Sequence, residues 1–291
     1  MVHRTARIAT RKLGPFSYRE RLGKGTPILL LHGAGFSSAV FENQLESPDL
    51  AGKWLIALDL PGHGQTEPAS HWGEDYSFNG LARCVLDFLS ILNLPPVVVV
   101  GWSLGGHVGY EMLDRPDRVS GLISIAAPPT RLGPLGLMQA FHFNRILLLS
   151  SKERLSADEA RYVEKMSLGP LAKGDHVDTL MNSDPKFRPA LSKNILRESW
   201  ASQQSMILNS TVPVSIFFGS DDAIIRASYM QALDLPDLFD GYPVRFEGSG
   251  HAPFLDNQTV FEVLLSQFVG AVESGVAVGP AKSETDFALA S

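Results

Sequence analysis

A serine that could act as a nucleophile lies in the segment Gly101-Trp-Ser103-Leu-Gly105. It follows the apolar run Val97 to Val100, which predicts a buried strand, and it opens the segment Ser103 to Arg115, whose apolar residues have helical spacing. A serine in a tight strand-to-helix turn needs small residues two positions away on each side, and Gly101 and Gly105 meet this requirement. The segment therefore predicts a nucleophile elbow with Ser103 as the nucleophile.

A reaction at Ser103 would also need backbone N–H groups aimed at the developing negative charge. The apolar run Pro27 to Leu31 leads directly into His32-Gly33-Ala34-Gly35, whose small residues let the backbone approach a substrate oxygen. The helix after Ser103 begins with free N–H groups and the positive end of its dipole. We predict the backbone N–H groups of Ala34 and Leu104 as the two oxyanion donors and expect His32 to bond nearby backbone.

A base and an acid are predicted in two loops near the end of the sequence. A serine hydroxyl becomes a good nucleophile when a base takes its proton and a third group orients that base. Gly219-Ser-Asp221-Asp222 follows the predicted strand 214 to 218, and Gly248-Ser-Gly250-His251 follows the predicted strand 243 to 247. We predict His251 as the base and Asp222 as the acid, with Asp221 as the alternative acid.

The other histidines favour structural roles. We expect His63, in Asp59-Leu-Pro61-Gly-His63-Gly64, to hold its loop and His107 to be a packed helix residue. The histidines lack a metal-ligand spacing such as His-x-His or His-Glu-x-x-His, and Gly101 to Gly106 lacks the dinucleotide-binding pattern Gly-x-Gly-x-x-Gly. We therefore predict no metal and no cofactor.

The elements that position these residues alternate between strand and helix. Short apolar runs suit strands that are buried on both faces, and they are separated by segments of helical period such as Ser77 to Leu92 and Val260 to Val272. This alternation predicts an α/β fold with a mostly parallel, doubly wound sheet. The carboxyl ends of its strands would bring the three loops together.

Between Pro128 and Thr211 the sequence has no convincing strand, and apolar residues recur at helical spacing, among them Met138, Phe141, Phe143, Tyr162, Met166 and Trp200. About eighty residues are too many for one loop, so we predict a helical cap. The predicted division is residues 1–127 and 212–272 as the core, 128–211 as the cap, and 273–291 as a disordered tail.

Composition limits the class of protein. The chain has 291 residues, 25 Lys and Arg against 31 Asp and Glu, a net charge of −6 and one cysteine, Cys84. It is long enough for a large core, carries no excess of positive charge for nucleic acid or anionic lipid, and cannot form an internal disulfide. With no apolar run near the roughly 20 residues that span a bilayer, we predict a cytoplasmic protein without nucleic-acid or membrane partners.

The basic N-terminus fits a β-hairpin turning at Leu13-Gly14-Pro15, with a transit peptide as the alternative.

The chain resembles the α/β-hydrolase superfamily over most of its length. The resemblance is carried by five motifs, three of which hold the Ser, the acid and the His in the order that is typical of that fold. They are His32-Gly33, Asp59-Leu-Pro-Gly-His-Gly64, Gly101-Trp-Ser-Leu-Gly105, Gly219-Ser-Asp-Asp222 and Gly250-His251. A narrower resemblance, carried by Gly101-Trp-Ser-Leu-Gly-Gly-His107, Glu111-Met112 and Gly250-His-Ala-Pro-Phe254, is to the metal-free, serine-dependent N-acyl-homoserine lactonases. It implies a lactone substrate that carries an acyl chain.

The sequence thus predicts a serine hydrolase that cleaves a carboxylic ester or lactone through an acyl-enzyme, with a small molecule as its substrate. One alternative is hydrolysis of a carbon–carbon bond on the same triad. The other is a ligand receptor, without catalysis, on a hydrolase fold. The apolar cap residues favour two interpretations equally, a pocket for an acyl or aromatic group and simple packing of the cap on the core.

Overall fold

The computed structural model describes residues 8–130, 134–197 and 202–275. Within them eight strands form a single sheet in the order β1-β2-β4-β3-β5-β6-β7-β8. The strands are β1 (Ile8–Leu13), β2 (Phe16–Arg21), β3 (Lys24–Leu31), β4 (Lys53–Leu58), β5 (Val97–Trp102), β6 (Val119–Ile125), β7 (Val214–Gly219) and β8 (Val244–Phe246).

The sheet is mostly parallel, which confirms the predicted fold class. Strands β3 to β8 pair in parallel, whereas β1 and β2 form an antiparallel hairpin whose second strand pairs with β4. The hairpin turns at Gly14, where φ is +57°, as the sequence predicts. The first seven residues, where a transit peptide was the alternative, lie outside the described residues.

Helices cover the sheet and connect its strands. They are α1 (Glu42–Glu46), α2 (Trp72–Asp75), α3 (Phe78–Ile91), α4 (Leu104–Tyr110), α5 (Pro134–Ala140), α6 (Arg145–Leu149), α7 (Ala157–Leu168), α8 (Val177–Asn182), α9 (Phe187–Arg197), α10 (Gln203–Leu208), α11 (Ala227–Gln231), α12 (Pro253–Asp256) and α13 (Gln258–Glu273). Helix α3 begins where expected, because the Ser77 hydroxyl accepts a hydrogen bond from Gly80 N at 3.0 Å. Its buried side chains include Leu81, Val85 and Phe88.

Helices α5 to α10 occupy the chain between β6 and β7, in the stretch predicted to be a cap. They are tied to the rest of the molecule by polar contacts. Tyr76 Oη donates to Asp184 Oδ2 at 2.5 Å, and Asp184 N donates to Gly62 O at 2.8 Å. The division of the chain into core and cap remains a prediction.

The last described helix corrects the start of the predicted tail. Glu273 is the final residue of α13, and its Oε1 accepts a hydrogen bond from Thr26 N at 2.8 Å. The remainder of the predicted tail, from 276 onward, lies outside the described residues. In the part of the chain described, none of the helices combines the length and apolar character needed to cross a membrane.

Two glycines allow a stability test of the packing between α4 and β3. A Cβ at Gly105 would collide with the carbonyl group of Leu31, whereas one at Gly270 in α13 would meet open space. We expect Gly105→Ala to lower the free energy of unfolding by about 1–3 kcal/mol through overpacking. Gly270→Ala, the matched control, is expected to raise it by about 0.5–1 kcal/mol. Urea unfolding measures both, and a Gly105→Ala protein as stable as the wild type would contradict the packing argument.

Candidate active site

Ser103 lies in a sharp turn between β5 and α4. Its φ is +52° and its ψ is −113°, a backbone conformation that non-glycine residues rarely adopt. The turn is fixed by hydrogen bonds from Ser103 N to Ile125 O at 2.8 Å and from Gly106 N to Ser103 O at 3.0 Å. A Cβ at Gly101 would collide with the carbonyl group of Gly105, so the backbone on the two sides of the turn touches. The geometry is that of the predicted elbow.

His251 and Asp222 form a buried pair. His251 Nδ1 lies 2.7 Å from Asp222 Oδ2, and the two side chains are 3% and 0% exposed. The other carboxylate oxygen, Asp222 Oδ1, accepts hydrogen bonds from Ile224 N at 2.7 Å and Ile225 N at 3.0 Å. Because a carboxylate only accepts, Nδ1 donates and Nε2 is left as the acceptor that a general base requires.

The loops that carry this pair are in contact. A Cβ at Gly219 would collide with the carbonyl groups of Ser249 and Gly250, so only glycine permits this approach. Asp221 N donates to Ser249 O at 2.9 Å, and the Asp221 side chain is exposed, with Ser220 Oγ as its hydrogen-bond partner at 2.9 Å. The structure brings Asp222, and not Asp221, to His251.

Ser103 and His251 line one cavity of about 140 Å³ together with Gly33 and Ala34. A Cβ at Gly33 would lie 3.4 Å from Ser103 Cβ, so the loop after β3 runs directly beside the serine. Ala34 follows Gly33, and Leu104 is the first residue of α4. The peptides of both predicted oxyanion donors therefore lie next to Ser103.

His32 holds the loop after β3, as expected. Its Nδ1 bonds Gly33 O at 2.9 Å, and its Nε2 accepts from Leu60 N at 3.0 Å. His63 bonds Pro61 O at 2.9 Å, which agrees with the predicted role in its own loop. Burial lowers the pKa of His32 and brings the pKa of His63 well below its ordinary value. Both rings are therefore buried in the neutral form.

His107 is a packed helix residue, which confirms the prediction. Its ring stacks on Phe78 with centroids 4.6 Å apart and planes 6° apart, and its Nδ1 bonds Gln203 Oε1 at 2.8 Å. Burial, together with the nearby His251, lowers the pKa of His107 to about 4, although the bond to Gln203 opposes the shift. Cys84, expected in the core, is half-buried against it, and burial raises the pKa of its thiol to about 11.

The apolar residues predicted for the cap divide into two groups. Phe141, Tyr162 and Met166 are partly buried against the core, as the packing interpretation predicts. Met138 and Phe143 are 70% and 85% exposed, so they neither line the cavity nor pack on the core. The apolar wall comes instead from α6, α7 and α9, with Ile146, Leu149, Val163, Leu191 and Ile195. Trp200 lies outside the described residues. The helical period alone could not show which apolar residues of these short helices face inward.

Sequence reasoning missed Arg188, a buried cation in the same cavity. Its neighbours Phe187 and Pro189 give no signal that distinguishes it from a surface arginine. A second and larger groove, of about 460 Å³, has polar walls that include Arg19, Glu42 and Asp178, and neither Ser103 nor His251 lines it. In the described ranges, no three His, Cys, Asp or Glu side chains are grouped as metal ligands.

The fold and the elbow define a protein of the α/β-hydrolase class, and sequence comparison agrees. Residues 28–263 match the model of the alpha/beta hydrolase family, and the chain belongs to that family. A pimeloyl-[acyl-carrier protein] methyl ester esterase from Chromobacterium violaceum is 29% identical over 85% of this chain and 96% of its own length.

Solved structures give the same class. A crystal structure of the N-acyl homoserine lactonase AidH with N-hexanoyl homoserine superposes with a TM-score of 0.85 and 26% identity, covering 90% of this chain and 96% of that one. The esterase RhEst1 from Rhodococcus sp. ECU1013 shares the fold, with a TM-score of 0.69, 21% identity and coverage of 92% and 99%. The predicted α/β-hydrolase class is confirmed, and the methyl ester esterase and the lactonase AidH agree with the predicted hydrolysis of ester bonds.

The buried neutral histidines predict an acid-sensitive fold. An unfolded histidine has a pKa of about 6.5, whereas the pKa of His107 in the fold is about 4. Between these values the unfolded chain binds more protons, so the free energy of unfolding falls as the pH falls from about 6.5 toward 4. Each such group contributes a slope of up to about 1.4 kcal/mol per pH unit.

We expect His107→Gln to reduce this slope by about one proton, measured from urea unfolding between pH 7 and pH 5. The matched control is His71→Gln, because the His71 side chain is 83% exposed, and it should keep the wild-type slope. A His107→Gln protein with an unchanged slope would show that His107 is not a buried neutral group.

Proposed function

We propose that this protein is a serine hydrolase that cleaves a carboxylic ester or lactone through an acyl-enzyme intermediate. The observation that carries the proposal is the buried His251–Asp222 hydrogen bond of 2.7 Å in the wall of the cavity that Ser103 also lines. A hydroxyl, a base with a free ring nitrogen, and a carboxylate that fixes that base are the three groups that acyl transfer needs.

In the proposed mechanism, Ser103 Oγ attacks the substrate carbonyl while His251 Nε2 takes its proton. Asp222 keeps the proton of His251 on Nδ1 and stabilises the imidazolium that forms. The N–H groups of Ala34 and Leu104 donate to the oxyanion, and such a donor contributes about 2.7–4 kcal/mol to transition-state stabilisation. His251 then protonates the leaving alkoxide, and water, deprotonated by His251, attacks the acyl-enzyme. The bond between the acyl group and Ser103 Oγ breaks, and His251 returns the proton to Oγ. With a lactone, the leaving alkoxide stays attached to the acyl group.

Within this class we propose an ester or lactone with an apolar acyl chain, including the N-acyl-homoserine lactones. Two observations support it. The cavity wall from α6, α7 and α9 is mostly apolar, and the lactonase AidH, crystallised with N-hexanoyl homoserine, superposes over 90% of this chain. Helices between 128 and 211 would then act as a cap that selects the chain, over a core of 1–127 and 212–272.

We also propose a reducing, cytoplasmic compartment for the protein. The support is that the chain has a single cysteine, Cys84, and so cannot form the internal disulfides that are typical of oxidising compartments.

Removal of the proposed triad should abolish ester turnover. We expect Ser103→Ala and His251→Ala to lower kcat/KM for a p-nitrophenyl ester by at least about 10³-fold, since triad members act as a unit. Folding is checked by circular dichroism and thermal melting. Near wild-type turnover in either folded variant would overturn the proposed function.

The two adjacent carboxylates give a sharper test of the acid. Asp222→Asn should lose most of the activity, because an amide favours the wrong tautomer of His251. The same change costs about 10⁴-fold in a Ser-His-Asp triad on another fold. Asp221→Asn, the matched control one residue away, should retain nearly all of it. A larger loss in Asp221→Asn would reverse the assignment.

An acyl pocket predicts dependence on chain length. For a series of p-nitrophenyl esters from acetate to decanoate, kcat/KM should rise until the cavity is full and then fall, since each buried methylene contributes about 0.8 kcal/mol. Ile195→Trp, which adds bulk to the wall, should move the maximum to a shorter chain. A flat series would argue against an acyl pocket.

A further inference from the structure

Arg188 is a buried cation in the cavity of Ser103. It is 6% exposed, lies in the first turn of α9, and lines the cavity together with Ser103 and His251. The surrounding wall is mostly apolar, and the mechanism proposed above gives this guanidinium no role. Its placement therefore requires a separate explanation.

The described partners of Arg188 are neutral. Nη1 donates to Ser183 Oγ at 2.9 Å, and Nη2 donates to Leu180 O at 3.0 Å. A guanidinium has five N–H donors, so these two bonds leave three for other acceptors. Burial alone shifts the pKa of Arg188, lowering it to about 10, and no carboxylate within the described ranges opposes this shift. The side chain therefore remains charged at neutral pH.

This position is unfavourable for an unpaired cation. A buried charge normally has a partner of opposite charge, because desolvation is otherwise uncompensated. The first turn of a helix adds to the cost, since the positive end of the helix dipole favours anions there. Both effects would be relieved by a ligand anion in the cavity.

The guanidinium also lies against the loop of the proposed oxyanion donor. A Cβ at Gly35 would come within 2.6 Å of Arg188 Nη2, and a Cβ at Gly33 would lie 3.4 Å from Ser103 Cβ. Gly33 and Gly35 flank Ala34. Arg188 and Ser103 therefore lie beside the same three-residue segment and line the same cavity, so that one substrate bound there can contact both.

We propose that Arg188 is a specificity-determining residue that binds a carboxylate of the substrate while Ser103 attacks a separate ester carbonyl of the same molecule. The inference rests on the proposed function and directs it toward esters that carry a carboxylate near the scissile bond. Uncharged substrates, the N-acyl-homoserine lactones among them, would leave Arg188 unpaired and would react more slowly. The planar guanidinium suits a carboxylate because it can donate two parallel hydrogen bonds.

The test compares pairs of esters that differ only in charge. One pair is the methyl half-ester of succinic acid and the same ester with its free carboxyl replaced by a primary amide. In the other pair the acyl half is uncharged, and the alcohol half carries the carboxylate in one ester and the primary amide in the other. We expect the wild type to favour the carboxylate member of one pair, and that pair identifies the half of the substrate that faces Arg188.

Variants then assign the preference to Arg188. Arg188→Met should lower kcat/KM for the favoured carboxylate ester by about 30-fold or more, and leave the amide within a few fold, as for a lost buried charge pair. Arg188→Lys should retain part of the preference. Lys193→Met, the control, changes an exposed cation on the same helix and should leave the preference intact. Equal losses on both members would show a purely structural role and overturn the inference.

Two further results keep this inference distinct from the proposed function. Should Arg188→Met fail to fold, the wild-type comparison decides, because no preference for the carboxylate in either pair overturns the inference. Calorimetric titration of Ser103→Ala with the same pairs of esters measures the dissociation constant of each compound without turnover. Tighter binding of a carboxylate ester supports the role of Arg188 even if no ester is hydrolysed, and equal binding of all four compounds overturns it.

Discussion

The turn at Ser103 is the constraint on which the rest of the site depends. A left-handed conformation at a non-glycine residue costs about 1–3 kcal/mol, and it persists only when the surrounding structure holds it. Here β5 is paired with β3 and β6 on its two sides, and α4 packs so closely that Gly101 and Gly105 have no room for a Cβ. The pairing of β5 and the packing of α4 thus hold the strained turn in place. The turn places the serine side chain in the cavity wall.

The same edge of the sheet brings the acid and base to that serine. Strands β6, β7 and β8 run parallel to β5, so their carboxyl ends lie along one edge. The β7 and β8 loops touch at Gly219, and Trp102 Nε1 donates to His251 O at 2.8 Å. The residue before the nucleophile therefore fixes the backbone of the histidine, and a disturbance of one loop is transmitted to the others.

Most of this arrangement could be predicted from the sequence, because local patterns specify it. The apolar runs predicted the strands, and the glycines around Ser103 and His251 marked the turns. The sequence favours Asp222 over Asp221 as the acid, and the geometry supports this choice, since Asp222 is buried against His251 and Asp221 is exposed. The inward faces of α5 and α6 could not be predicted, because short helices have few turns over which a period can be read. Met138 was expected to be covered and is exposed, whereas Ile146 lines the cavity.

Arg188 could not be predicted from the sequence, because whether an arginine has an ion-pair partner depends on the tertiary fold. Its role follows from the charges in and around the cavity. The reaction creates an oxyanion and an imidazolium together, so the triad step by itself adds no net charge to the buried site. The Asp222 carboxylate is bound to His251 and to the N–H groups of Ile224 and Ile225, and it does not act on the pKa of Arg188. Arg188 therefore keeps a positive charge without a neighbouring partner, whereas His107 and His63 remain neutral. With a carboxylate of the substrate on Arg188, the cavity keeps one balanced pair throughout the reaction and gains a second at the tetrahedral intermediate. The unpaired arginine is therefore best understood as half of an ion pair whose other half arrives with the substrate.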